Sequence, residues 1–265
     1  MRPRLTLACG DYQLTRALHR GSVQPAGVDL NVITYPSPER HWRMLRNLEF
    51  DACEMSLGSY LLSRRWPAEY PFTAIPVFPH RRFRHSYMFV PEGSTAANPA
   101  DFAGGSVGLK NWQNSAGVWM KGIAADQYGL DLTDVTWYCD HSEDIPVDIP
   151  DRFDVRPTPN GATVEAMLVD GGLDGAMYPV LPAAVKAGAG ARRLFDDSLA
   201  VEQAYYRETN IFPTMHTVVI RDELLERDPW LAVNLLDAFR NARDEALSSV
   251  GTWPTAFVWI AQHHE

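Results

Sequence analysis

The segment Phe78–Phe89, FPHRRFRHSYMF, packs Arg81, Arg82, Arg84 and His85 into five positions. Guanidinium groups match carboxylates in shape and charge. The stretch therefore predicts a pocket for a small anion, one with more than one carboxylate. It is a local exception in a 265-residue chain of formal net charge -9. Arg81 and Arg84 are the expected carboxylate clamps, and Arg82 alternates with them toward solvent. Arg16 is a candidate third cation. The bland reading is a surface cluster paired with nearby acids.

A second Phe-Pro followed by a histidine occurs at Phe212-Pro213 and His216. His85 and His216 are the candidates for proton transfer, because imidazole populates both protonation states near neutral pH. The alternative is two histidines bonded to backbone. Glu54 ends a strand-like run and could take a proton or orient a histidine. Asp11 lies in a Gly-Asp turn, a place Asp also occupies for backbone reasons alone. Ser56 is a helix N-cap candidate that joins the substrate-binding set. Asn111, Gln113, Asn114 and Ser115 precede a helix, and with the free N–H groups of its first turn they form an anion-ready site; ordinary capping by Asn114 or Ser115 is the bland reading, and both can hold together. Trp112 and Tyr178 could stack on an aromatic ring or belong to the core. His41 and His80 carry less weight. The His, Asp and Glu residues show no HxH or HExxH spacing, so a divalent metal is the lesser expectation and no cofactor the greater. His263-His264 reads as a frayed tail.

Several classes are excluded. The acidic balance argues against nucleic acid, which needs a broad basic surface. No apolar run approaches the roughly 20 residues of a membrane span. The opening MRPRLTLACGDYQL is interrupted by Gly10 and Asp11, so no secretory signal is expected. Three cysteines, Cys9, Cys53 and Cys139, without CxxC spacing fit a reduced, cytoplasmic setting.

The elements that must position these residues alternate. Strands are expected at Leu5–Cys9, Val28–Tyr35, Phe50–Glu54 and Thr73–Phe78. Helices are expected at Gln13–Gly21, Pro38–Leu48 with Trp42, Leu45 and Leu48 on one face, and Ser56–Arg65. After a Pro/Gly-rich link at Pro91–Gly105, a second unit is expected. It has strands Ser106–Leu109, Val135–Cys139 and Leu173–Met177, and helices Ala116–Tyr128, Thr163–Gly171 and Leu181–Ala189. Asp140–Pro159 reads as an acidic surface loop. The first unit resumes with a strand over Ile211–Ile220 and a long helix over Asp228–Ser249. This predicts an α/β protein of two lobes, 1–88 plus 212–265 and 89–211, each a β-sheet flanked by helices. The lobes would be joined by two hinge strands, with His85 and His216 facing one cleft.

The blocks ACGDY (Ala8–Tyr12), WRMLRNLEFDACEMSLGSYL (Trp42–Leu61), IPVFPHRRFRHS (Ile75–Ser86), NWQNSAGVWMKGI (Asn111–Ile123) and IFPTMHTVVIR (Ile211–Arg221) together resemble the 4,5-dihydroxyphthalate decarboxylase family. The acidic loop Asp140–Pro159 departs from the family pattern, and the resemblance implies further sequence after the last helix. It also implies a fold similar to the type 2 periplasmic binding proteins. The implied reaction is loss of one ring carboxylate as CO2 from a dihydroxylated phthalate, giving protocatechuate without an organic cofactor. The expected partner is then a small aromatic carboxylate, with homo-oligomerisation left open. The rival expectation is a non-catalytic solute-binding protein of a transporter for an aromatic or other small anion.

Overall fold

The computed structural model describes residues 2–249. The His263-His264 tail, and the part of the first expected lobe beyond residue 249, lie outside the described residues. The described chain separates into two compact units, residues 2–80 with 216–249, and residues 81–215. The expected boundaries at 88/89 and 211/212 thus differ from the observed breaks at 80/81 and 215/216. Residues 81–88 and 212–215 pack with the second unit, where Arg81 bridges Thr214 and the Arg82 N–H donates to Pro213 O.

Unit 1 begins with β1 (Arg4–Ala8), α1 (Arg16–Arg20), β2 (Asp29–Ile33), α2 (Ser37–Asn47), β3 (Ala52–Ser56), α3 (Leu57–Ser63) and β4 (Phe72–Ile75). Unit 2 holds β5 (Met88–Pro91), β6 (Ser106–Leu109), α4 (Ser115–Tyr128), β7 (Thr136–Cys139), β8 (Asp154–Pro157), α5 (Val164–Val169), β9 (Gly175–Met177), α6 (Ala183–Ala187), β10 (Ala191–Arg193) and α7 (Ser198–Thr209). The chain then returns to unit 1 with β11 (His216–Arg221), α8 (Asp222–Arg227) and α9 (Trp230–Ser249). The unit 1 sheet has the order β2-β1-β3-β11-β4, and the unit 2 sheet β10-β5-β9-β6-β7-β8. Both are mixed. In unit 1 the returning strand β11 runs antiparallel between β3 and β4.

Burial explains the sheet of unit 1. All five residues of β3, ACEMS, are buried, which marks it as an inner strand. The buried Leu231, Leu235, Ala238, Phe239 and Ala242 of α9 recur at helical spacing and pack with Leu5, Leu7, Val218 and Ile220. Each such fully buried large side chain contributes about 1.5–3 kcal/mol. Unit 2 has its own core around Val107, Leu109, Met120, Ile123 and the fully buried Trp137. Among the described residues, no helix is long and apolar enough to cross a membrane.

Four of the departures from the sequence expectation have a physical reason. The helix α7 was not expected, because only Tyr205 along it is buried and the apolar period is therefore faint. The strand β8 lies inside the segment expected to be a loop; it is an edge strand that ends in Pro157. The strand expected from Ile211 begins only at His216. The buried face of α2 carries Arg40, His41, Met44 and Leu45, while Trp42 is 38% exposed. That rotation serves a charge in β3.

Candidate active site

The charge is Glu54, the middle residue of β3, with no solvent exposure. An isolated ionised carboxylate in such a place would cost several kcal/mol. Here every side of it is met. Oε1 accepts from His216 Nδ1 at 2.5 Å and from the Tyr12 hydroxyl at 2.8 Å. Oε2 lies 2.7 Å from Arg40 Nη2 and accepts from the Gly10 N–H at 2.8 Å, with Cys9 Sγ at 3.5 Å. Burial by itself would raise the Glu54 pKa. The His216 hydrogen bond and charge, then Arg40 and the Gly10 N–H, reverse this and hold the carboxyl well below the usual carboxylate range.

The fold delivers each partner by a short route. In the β3–β11 register Val218 faces Glu54 and His216 faces Ser56, so Glu54 and His216 are diagonal neighbours on one face of the sheet. The strand β1 runs beside β3 and ends at Ala8, two residues before Gly10, whose N–H points at the carboxylate. Tyr12 folds back over Gly10 so closely that a Cβ there would lie 2.4 Å from the Tyr12 ring. The inward face of α2 brings Arg40, which also donates to Tyr35 O at 2.7 Å and to the Tyr12 hydroxyl at 3.0 Å.

Two more imidazoles adjoin His216. The ring of His80 stands edge-on to it with centroids 4.6 Å apart, and that of His41 does so at 4.9 Å. His80 also lies 5.8 Å from the Tyr12 ring and accepts the His216 backbone N–H at 3.3 Å. His41 is buried, with Nε2 3.4 Å from Ser37 Oγ. Since a carboxylate only accepts, His216 must carry its proton on Nδ1, and Nε2 is the nitrogen left for chemistry. Burial first, and then Glu54, push the Tyr12 phenol above its ordinary range, so it stays a donor.

One donor atom from each of Glu54, His80 and His216 lies within 4.8 Å of the others, a grouping that could hold a metal ion. The donor set argues otherwise. Both Glu54 oxygens are already engaged by hydrogen-bond donors, and the Arg40 guanidinium supplies the cation beside them.

The structure thus brings Glu54 and His216 together in unit 1 and adds Tyr12, Arg40 and His80. His85 lies elsewhere, in unit 2. It has no exposure, its Nε2 is 3.0 Å from Gln127 Oε1, and the rings of Tyr128, Phe195 and Tyr205 enclose it. Burial lowers its pKa. It is a core residue there, closed off from a ligand.

The remaining candidates are also placed. Arg16 and Asp11 form an exposed pair at 3.5 Å. Ser56 is 6% exposed and accepts the Ser59 N–H, capping α3. Arg81 donates to Phe212 O and lies over the Phe212 ring. Arg82 donates to the Tyr87 hydroxyl at 2.7 Å. Arg84 is 3% exposed, and among the described residues no carboxylate lies within ion-pair distance of it. Its contacts are Met215 Sδ at 2.9 Å and Pro179 O at 3.2 Å. Burial, and then Arg82, pull its pKa down to about 10. Tyr178 donates to Asp140 at 3.2 Å.

The anion-ready turn before α4 is filled from within. Glu143 accepts the Trp112 N–H at 2.6 Å and the Gln113 N–H at 3.1 Å. Asn111 Nδ2 donates to Ser142 O, and Asn114 caps α4 by accepting the Gly117 N–H at 2.9 Å. Ser115 is the first residue of α4. Trp112 packs against Trp137 and Phe153.

No family model matches the chain. It is 33% identical over 251 residues to a 4,5-dihydroxyphthalate decarboxylase of Comamonas testosteroni, covering 92% of this chain and 76% of that one. It is 32% identical over 190 residues to a 4,5-dihydroxyphthalate decarboxylase of Pseudomonas putida, covering 69% and 73%. Among solved structures it is similar to the periplasmic aliphatic sulphonate-binding protein of Escherichia coli, with TM-score 0.56, 16% identity and coverage of 93% and 74%. It is also similar to the alkanesulfonate-binding protein of Xanthomonas axonopodis pv. citri bound to MOPS, with TM-score 0.53, 14% identity and coverage of 99% and 82%. At these identities the structural likeness concerns the fold, which is that of the periplasmic binding proteins. The sequence relationship reaches further: the chain belongs to the 4,5-dihydroxyphthalate decarboxylase family.

Proposed function

We propose that the protein decarboxylates a hydroxylated aromatic dicarboxylate, 4,5-dihydroxyphthalate, to protocatechuate and CO2. It is a carbon–carbon lyase, and the relatives named for this reaction support the assignment over most of the chain. The single structural observation that carries it is the buried Glu54–His216 pair in unit 1.

Breaking an aryl–carboxylate bond directly would leave a carbanion with no electron sink. The substrate solves this itself. Each carboxylate is para to one hydroxyl, and ionising that hydroxyl pushes electron density onto the carbon that bears the departing group. Protonation of that carbon then lets CO2 leave and aromaticity return. His216 is built for the proton delivery. Glu54 fixes its Nδ1 at 2.5 Å, the sheet fixes its backbone, and Nε2 is the nitrogen left for transfer. A positioned acid of this kind contributes roughly 100- to 10,000-fold. Arg40 and Tyr12 keep Glu54 ionised, so the pair holds a proton ready without passing it to the carboxylate. No metal or organic cofactor enters this scheme.

A solute-binding protein of the same fold would need cations for an anion, but not a carboxylate–histidine pair in the centre of a sheet. The test is incubation of the purified protein with 4,5-dihydroxyphthalate while protocatechuate and CO2 are measured. Stoichiometric release of both is expected. Tight binding with no product would sink the enzyme reading in favour of solute capture.

A further inference from the structure

The decarboxylation requires two proton-transfer groups, one to deliver a proton to the ring carbon and one to accept the phenol proton. We infer that His80 is the second, and that unit 1 alone carries both. The inference rests on the decarboxylase reading above.

The other titratable groups around Glu54 are poorly placed for this task. Glu54 is held ionised with donors on both oxygens, which makes it a poor base. Tyr12 donates to Glu54, and burial keeps its proton on. Cys9 is fully buried, and burial, then Glu54, push its thiol well up. His41 is 6% exposed and faces Ser37. His85 is sealed in the core of unit 2. His80 is more open than Cys9, His41 and His85, and it adjoins His216. It is only half-buried, its ring lies 4.6 Å from that of His216, and one of its ring nitrogens falls within 4.8 Å of the His216 and Glu54 donor atoms. Its position is fixed by backbone: His80 closes the first segment of unit 1, His216 opens β11, and the His216 N–H donates to His80 O at 3.3 Å. The two imidazoles are therefore held side by side where the chain leaves and re-enters the unit.

The proton balance closes. His80 takes the proton of the hydroxyl para to the departing carboxylate. The ring carbon takes a proton from His216 Nε2, and the phenolate becomes a ring carbonyl. The carbon–carboxylate bond breaks, and its electron pair restores the aromatic ring and the phenolate as CO2 leaves. His80 returns its proton to that oxygen, and solvent reprotonates His216. One proton is consumed per CO2 released.

The test compares His80→Gln and His216→Gln with the wild type, with folding checked by thermal melting and kcat followed as pH rises toward ionisation of the free phenol. His80→Gln is expected to lower kcat about 100-fold near neutral pH, with the deficit shrinking as the substrate arrives already ionised. The His216→Gln deficit should not shrink. His80→Asn guards against a misfolded variant and should behave like His80→Gln. A His80 variant with near-wild-type kcat, or with a deficit that is constant across pH, overturns the inference and leaves the decarboxylase standing. A wild type without turnover overturns both.

Discussion

Glu54 Oε1 lies 2.5 Å from His216 Nδ1, across a diagonal of two antiparallel strands. The contact is intrinsic to the sheet register, so it does not depend on a loop conformation. Replacing Glu54 with Gln keeps the shape but removes the charge that stabilises a protonated ring. We expect Glu54→Gln to lower kcat by about 100-fold or more. Retention of wild-type turnover in a folded Glu54→Gln protein would show that the pair is structural only.

Arg40 and Glu54 are a buried ion pair at 2.7 Å, exposed by 2% and 0%. Removing one member leaves the other uncompensated. Arg40→Met should therefore cost about 3–5 kcal/mol in urea unfolding. Removing both charges in Arg40→Met/Glu54→Leu should recover much of that loss, because two apolar side chains need no counter-charge. Simple additivity of the two single effects would mean that the charges do not see each other.

Parts of this arrangement were readable in the sequence and parts were not. The expected strand Phe50–Glu54 put the carboxylate at a strand end, whereas the strand runs on to Ser56 and makes Glu54 its middle, and the Phe-Pro/His pattern pointed to His216 as well as to His85. Arg40 was hidden because PERHWRMLRNL carries three arginines and its bulkiest residue, Trp42, suggested a different inner face. Tyr12 reaches Glu54 only through the fold-back at Gly10, which no periodicity reports. His85 was attractive for its basic neighbours, yet Gln127 and three aromatic rings that enclose it come from distant segments. The turn before α4 was read as an anion-ready site, with capping by Asn114 or Ser115 beside it, and Asn114 does cap the helix. That Glu143 would fill it could not be foreseen, because a loop is what brings the carboxylate back.

The engagement of both Glu54 oxygens bears on metal dependence. A divalent ion at Glu54, His80 and His216 would have to displace the His216 or Tyr12 hydrogen bond and sit near the Arg40 guanidinium. Dialysis against EDTA should leave kcat unchanged within error. Loss of activity, restored by one added divalent ion, would place a metal in the reaction.

Lys121 gives a separate pH signature in unit 2. It is 6% exposed, donates to Trp112 O at 2.8 Å and lies over the Trp112 ring. Burial pulls its pKa down to about 7, against the opposing pull of Cys139 and Glu143. An unfolded lysine titrates near 10.4. Between these two values the unfolded chain binds more protons, so stability rises with pH. The cost of the buried charge is full below about pH 7. Urea unfolding from pH 7 to 10 should show that rise in the wild type and not in Lys121→Met. The same slope in both would assign it to another group.

Gly10 is the tightest backbone position in the candidate site. A Cβ there would meet Tyr12 Cζ at 2.4 Å and its hydroxyl oxygen at 2.6 Å. The ring is the part able to yield, and yielding takes the hydroxyl away from Glu54 and Arg40. Gly10→Ala should therefore lose a hydrogen bond to a charged group, about 1.5–3 kcal/mol of stability. Tyr12→Ala should show the loss of the same bond, together with its lost packing. In a Tyr12→Ala background the added methyl has room, so Gly10→Ala should cost less than about 0.5 kcal/mol more. A full second penalty there would mean that the methyl strains β1 or its turn, and that Tyr12 is not the group Gly10 accommodates.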